Sequence, residues 1–98
     1  MSLTTKWTDE ELHQAVETYL KMLKYQQNNT PFIKAHVNSE LQGKIDRSRA
    51  SIEMRFQNIS YVLYTHKRPF VTGYLPLSNV GPTNEEKIWQ LIQKLQPR

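Results

Sequence analysis

Side chains that can hold or read a polyanion are concentrated in one short stretch of the chain. This stretch, RSRASIEMRFQNISYVL, occupies residues 47–63. Arginine can pair with guanine and an Asn or Gln amide with adenine, while Ser hydroxyls and free N–H groups at a helix start can bind phosphate. Two further bases follow the stretch and could hold a DNA backbone. The candidate DNA contacts are Arg47, Ser48, Arg49, Ser51, Arg55, Gln57, Asn58, Lys67 and Arg68.

The excess positive charge of the chain falls in the same region. The formal net charge is +4 over 98 residues. Residues 44–68 hold six bases and two acids, a net of +4, whereas the rest of the chain holds seven of each. Clustered positive charge attracts polyanions through its summed field and through counterion release. This distribution favours double-stranded DNA as a partner, although a solvated basic helix face would give the same count.

No arrangement typical of an enzyme active site is visible. The histidines His13, His36 and His66 are widely separated, and the chain contains no cysteine. Their spacing fits no metal-ligand pattern. There is also no Gly-rich phosphate loop and no Gly-x-Ser-x-Gly sequence. We therefore expect no catalytic residues, no bound metal and no cofactor.

The distribution of apolar residues argues against a membrane protein. No run approaches the roughly 18 apolar residues that a spanning helix needs, and no signal peptide is recognisable. The basic stretch also lacks the adjoining exposed apolar face of a membrane-surface helix. We expect a soluble, cytoplasmic protein with one domain over residues 1–98, which could be part of a longer protein.

Two helices are predicted before the arginine-rich stretch. Thr8 and Glu11 have the spacing of a capping box, and the apolar residues after them recur at helical spacing, which predicts a helix over 9–24. Thr30-Pro31 is typical of an N-cap followed by proline at the first helical position, so a second helix is expected over 31–42. Gly43 is expected to end it, because glycine adopts the left-handed conformation without a Cβ penalty.

The arginine-rich stretch itself predicts a third helix. Ser48 is a suitable N-cap, and the helix is expected over 49–64. At about 100° per residue, Gln57 and Asn58 lie about 140° and 240° from Ile52 and should bracket the outward direction. Asn58 could instead bond to a neighbouring backbone carbonyl or to the loop after residue 64. The expected core stripe consists of Ile52, Phe56, Ile59 and Leu63.

An irregular segment and a last helix complete the predicted fold. Residues 65–84 contain three prolines and two glycines, which favours a loop there over a short hairpin. A second capping box at Thr83 and Glu86 predicts a helix over 84–96. The expected fold class is all-α, with a helix-turn-helix-like three-helix core, a C-terminal helix and an irregular segment at about 65–83. In such a core the third helix is presented to the major groove.

Two residues on the polar side of the third helix keep a second function open. Met54 and Tyr61 could touch a thymine methyl or a modified base, or could pack under the segment after the helix. The same face could also dock a protein or a second copy of the chain. An interaction or dimerisation module is therefore the alternative function. Salt dependence distinguishes DNA binding from a protein interaction, because phosphate contacts weaken steeply with salt and an apolar contact hardly responds.

The third helix and the segment after it resemble a known module. SIEMRFQNISYVL, preceded by Arg47-Ser48 and followed by Gly73-Tyr74-Leu75-Pro76, is similar to a small bacterial module. That module is found ahead of HNH-type nuclease domains in McrA-like, modification-dependent restriction proteins. The resemblance begins at Trp7 and extends to about Asn79.

The resemblance implies a DNA-recognising targeting module of a larger restriction-type protein. A nuclease domain would then follow in cis, and a homodimer is compatible with such a module. The positions matching the family as contacts are Arg47, Ser48, Ser51, Arg55, Gln57 and Asn58. Nothing in the chain resembles the His-rich metal-binding hairpin of an HNH nuclease, so the resemblance implies no nuclease activity within these residues.

Overall fold

The computed structural model describes residues 6–96 and folds them into four α-helices. These are α1 (Asp9–Gln27), α2 (Lys34–Gln42), α3 (Arg49–Thr65) and α4 (Pro82–Leu95). Residues 6–96 contain no strand. The all-α prediction is confirmed, and so is the preference for a loop over a hairpin after α3.

Helix α1 begins at the capping box that its sequence predicts. Thr8 Oγ1 accepts from the Glu11 amide at 3.1 Å, and Glu11 Oε1 accepts from the Thr8 amide at 2.9 Å. The helix runs three residues further than predicted, to Gln27. Its last turn is held from outside, because Gln26 Nε2 donates to the Phe70 carbonyl at 3.0 Å. This contact is with a residue distant in sequence, so no local pattern reveals it.

The predicted start of α2 at Thr30-Pro31 is wrong. The N-cap is Ile33, with extended backbone and no side-chain capping bond, and the helix starts at Lys34. The Thr30 amide instead donates to the Tyr25 carbonyl at 2.8 Å and helps to close the end of α1. Gly43 does cap the helix, but in right-handed conformation with φ −73°. The expected left-handed glycine is therefore also wrong.

The predicted capping box of α4 is wrong as well. The helix starts two residues earlier, with Pro82 in its first turn and Gly81 as N-cap. Gly81 has φ +81°, a region that favours glycine because it has no Cβ. Glu86 accepts from the Gln90 side chain instead of capping the helix. Proline at the start of a helix, rather than threonine before it, marks this boundary.

The core forms where α1 packs against the other three helices and α4 also contacts α3. All four residues of the predicted α3 stripe are fully buried. One polar contact crosses this core, where the Tyr19 and Ser60 hydroxyls lie 2.7 Å apart. The Tyr19 hydroxyl also accepts from the Val71 amide at 2.8 Å. That bond fixes the beginning of the segment that follows α3.

Residues 71–80, which we call the strap, cross the outward side of α3. The Tyr74 ring packs edge-on against Phe56, with ring centroids 5.2 Å apart. Further along, the Leu77 amide donates to the Gln57 carbonyl at 3.1 Å. The strap then reaches Asn58, on the opposite flank of the helix. It therefore covers α3 at its middle and leaves the first two turns open.

Candidate nucleic-acid interface

The turn between α2 and α3 fixes how the start of α3 is presented. Ser48 Oγ accepts from the Ser51 amide at 3.1 Å and caps the helix as predicted. The Asn38 side chain of α2 donates to the Arg49 carbonyl at 3.3 Å. Together these bonds hold the first turn of α3 against α2. The exposed side chains of the first two turns are Arg49, Ala50, Glu53 and Met54.

Arg47 is held within the fold. Its guanidinium donates to both carboxylate oxygens of Glu11, at 2.8 and 3.1 Å, and to the Lys6 carbonyl at 2.7 Å. It also lies 5.2 Å from the centre of the Trp7 ring. The hydrogen bond from Arg47 lowers the pKa of the Glu11 carboxyl. These contacts join the start of α1 to the start of α3, and the assignment of Arg47 as a DNA contact stays a prediction.

Arg55 also contacts the Trp7 ring. Its guanidinium carbon is 4.9 Å from the Trp7 ring centre, and its Nη1 donates to Asn58 Oδ1 at 3.2 Å. Burial lowers the pKa of this guanidinium, and the charge of Arg47 lowers it further. A half-buried arginine with these partners positions its neighbours, and its role as a DNA contact also stays a prediction.

The expectation that Asn58 faces outward is wrong, and the alternative that it bonds to the loop after residue 64 is confirmed. Its side chain is 2% exposed and donates to the Leu77 carbonyl at 2.8 Å and to Asn79 Oδ1 at 3.0 Å. The strap covers this flank of α3, which a helical projection from four core residues does not show. In this conformation the Asn58 amide cannot reach a base edge. Gln57 is half-buried beside the strap, so its access to a duplex is reduced.

Half of the six bases in residues 44–68 remain exposed. These are Lys44, Arg49 and Lys67. Arg68 instead donates to the Gln96 carbonyl and side chain, both at 3.1 Å, and lies 5.4 Å from the Trp89 ring centre. Lys67 follows the far end of α3. The exposed charge is therefore divided between the two ends of the helix.

Lys34 is an exposed cation beside the strap that sequence reasoning missed. It is exposed in the first turn of α2, and its Nζ donates to the Gly73 carbonyl at 2.8 Å and lies 4.7 Å from the Tyr74 ring centre. Arg49 and Glu53 also act electrostatically on Tyr74. The strap therefore contacts a cation at the start of α2. No sequence signal predicts this, because the strap makes the connection.

Tyr74 itself is an internal residue. It is 4% exposed, and its hydroxyl has no hydrogen-bond partner among the described residues. Burial raises its pKa to about 12, and the charge of Glu53 adds to the effect. The ring anchors the strap, while the hydroxyl contributes no visible bond.

Met54 and Tyr61 differ in exposure. Met54 is 44% exposed, and its Sδ lies 3.5 Å from Asn79 Nδ2 at the strap. Tyr61 is partly buried and packs against the core. Met54 is thus the large apolar side chain that is exposed on the first two turns of α3.

Within residues 6–96, no group of three or more His, Asp or Glu side chains could hold a metal ion. In the same range no helix combines the length and the apolar character needed to cross a bilayer. Comparison with known proteins found no matching family model, no similar curated protein and no similar solved structure.

Proposed function

We propose that the chain binds double-stranded DNA through the first two turns of α3. Met54 would face the major groove, and Lys34, Lys44 and Arg49 would meet the phosphate backbone. The observation that carries the proposal is that the first two turns of α3 leave Arg49 and Met54 exposed, while the exposed Lys34 lies beside the strap at Tyr74. An apolar side chain suits a thymine methyl.

The structure narrows the set of contacts on which the proposal rests. Three residues would support the interface indirectly, because they hold α1, α3 and the strap together: Arg47, Arg55 and Asn58. The Ser48 hydroxyl is used as a helix cap. The remaining free N–H groups of the first turn would favour a phosphate there.

The wider role in this proposal rests on the resemblance of residues 7–79 described above. The chain would serve as the targeting module of a cytoplasmic restriction-type protein with an HNH nuclease domain in cis. Under this role the described residues select the DNA, and cleavage belongs to the other domain.

Salt-dependent binding tests the proposal. Three phosphate contacts, from Lys34, Lys44 and Arg49, predict a log–log slope of about −3 in a titration of a fluorescent duplex. Replacing Arg49 or Lys34 with Ala should weaken binding and flatten the slope by about one unit.

The matched control is Lys67→Ala, which also removes one exposed positive charge. Lys67 lies about 25 Å from Arg49 along α3, at 1.5 Å per residue. It should change affinity much less than either of the other two substitutions. Absence of duplex binding at low salt would contradict the proposal, and so would equal losses for all three variants.

A protein-interaction module is the second candidate, and exposed apolar side chains favour it. Met54, Tyr64 and Leu75 are 44%, 61% and 69% exposed, and such residues commonly anchor interfaces. Sedimentation over a range of concentrations tests self-association. A dimer that persists at high salt and dissociates on Met54→Ala would support this candidate over DNA binding.

A further inference from the structure

A cleft lined by three lysines lies between the second half of α1 and the turn that leads from α2 to α3. It has a volume of about 450 Å³. This lysine cleft is lined by Glu17, Thr18, Leu20, Lys21, Lys24 and Lys44. Three lysines and one glutamate give its lining a net charge of +2. The cleft therefore suits an anion.

The positive charges of the lysine cleft are not neutralised within residues 6–96. All three lysines are exposed, and the ion pairs of this part of the chain include none of them. Lys21 and Lys24 are three positions apart on α1 and share a face, where like charges destabilise a helix. Lys24 suits the negative end of the α1 dipole, but the dipole does not account for Lys21 or Lys44. An anion in the cleft would relieve the repulsion.

The position of Lys44 indicates which anion can reach the cleft. The Lys44 and Ile45 amides both donate to the Leu41 carbonyl, at 2.9 and 3.0 Å, and hold the turn against the end of α2. Lys44 precedes Arg49 by five residues, so their Cα atoms are at most about 18 Å apart. Phosphates recur about every 3.4 Å along each strand of a duplex. A strand that passes Arg49 at the start of α3 therefore reaches Lys44 within about five nucleotides.

We propose that the lysine cleft holds one phosphate of the bound DNA, so that α1 is a second contact element beside α3. Lys21 and Lys24 would donate to the same phosphate that Lys44 meets. A lysine ammonium has three donors and no acceptor and binds phosphate as a point charge. This inference rests on the proposed DNA binding, to which it adds two lysines without adding a phosphate.

Salt titrations of a fluorescent duplex distinguish one shared phosphate from three separate ones. Lys21→Ala or Lys24→Ala should weaken binding about two- to fivefold, the range of exposed ion pairs. Neither should change the slope of about −3 by much, because the phosphate stays neutralised by the other lysines. Replacing all three lysines of the cleft with Ala should flatten the slope by about one unit. Glu17→Gln, which removes the negative charge of the lining, should strengthen binding.

Lys94→Ala is the matched control, because Lys94 is an exposed lysine in the last turn of α4 and does not line the cleft. It should leave affinity and slope unchanged. Circular dichroism checks that each variant is folded, and substitution of exposed side chains should preserve the helices. A slope that each single lysine variant flattens by a full unit means separate phosphates and overturns the inference alone. A triple variant that binds as wild type does has the same consequence, whereas a wild-type protein that binds no duplex overturns the proposed function as well.

Discussion

Replacing Asn58 with Ala should detach the strap from α3. The Asn58 amide donates to the Leu77 carbonyl at 2.8 Å and to Asn79 Oδ1 at 3.0 Å, and its oxygen accepts from Arg55 at 3.2 Å. Alanine can make none of these three bonds. A polar side chain that is 2% exposed therefore holds the strap to the helix.

The size of the effect follows from the bonds that are lost. A typical hydrogen bond contributes about 1 kcal/mol net, and a buried partner left without a bond costs about 1–3 kcal/mol. Asn79 and Arg55 can turn toward water, so the Leu77 carbonyl carries most of the additional cost. We expect the free energy of unfolding to fall by about 2–4 kcal/mol. For a domain of this size each kcal/mol lowers Tm by about 4–8 °C.

Urea unfolding measures this loss, and hydrogen exchange locates it. The Leu77 amide, which donates to Gln57 in the native fold, should exchange much faster in the variant. Gln57→Ala is the control, because Gln57 is the neighbouring amide residue and only half-buried; it should cost under about 1 kcal/mol, as most surface changes do. An Asn58→Ala variant as stable as Gln57→Ala, or one with a protected Leu77 amide, would refute this account of the strap.

Two comparisons test the buried polar groups. Tyr19→Phe removes the bonds to Ser60 and Val71 and should cost about 1–3 kcal/mol, whereas Tyr74→Phe removes a hydroxyl with no described partner and should be neutral or stabilising in the same urea assay. Burial raises the pKa of Tyr74 to about 12, so the stability that its neutral form contributes is present below about pH 10 and is lost as pH rises toward 12; Tyr74→Phe should lessen this alkaline loss. The lowered pKa of Glu11 contributes stability above the ordinary carboxyl pKa that is lost as pH falls through the lowered value; Glu11→Gln should therefore flatten the acid side of the stability profile, and an unchanged profile would contradict the role of Arg47.

The local signals predicted the helices well where the determinants are themselves local. The capping box of α1 and the Ser48 cap of α3 depend on residues three positions apart, so the sequence contains both partners. The stripe from Ile52 to Leu63 is visible for the same reason. At α2, by contrast, Thr30 carries a cap signal, but its amide is used to close the end of α1.

The strap was not predictable by the same means. Its anchors join residues 18 to 52 positions apart, from Phe56–Tyr74 to Tyr19–Val71, and no periodicity connects them. A helical projection from the core stripe shows which side of α3 faces the core. It does not show how much of the helix circumference other segments cover. The projection places Asn58 and Gln57 on either side of the outward direction, and only the tendency of Asn to bond to backbone carbonyls or loops indicates that Asn58 is the one buried by the strap.

A count of charges in the sequence does not show which arginines make contacts within the fold. Guanidinium groups lie against both tryptophan rings of the chain: Arg47 and Arg55 lie by Trp7, and Arg68 lies by Trp89. A guanidinium stacks on an aromatic ring while it donates hydrogen bonds, which a lysine does less well. Half of the bases that suggested a polyanion partner thus maintain the fold.

This use of arginine limits how a duplex could be bound. Each phosphate contact contributes about 0.9 to the salt slope, so internal arginines lower the non-specific affinity that the net charge suggests. Binding would then depend more on shape and on apolar contact at Met54. A shallow salt dependence together with a large loss on Met54→Ala is the pattern that this balance of forces predicts.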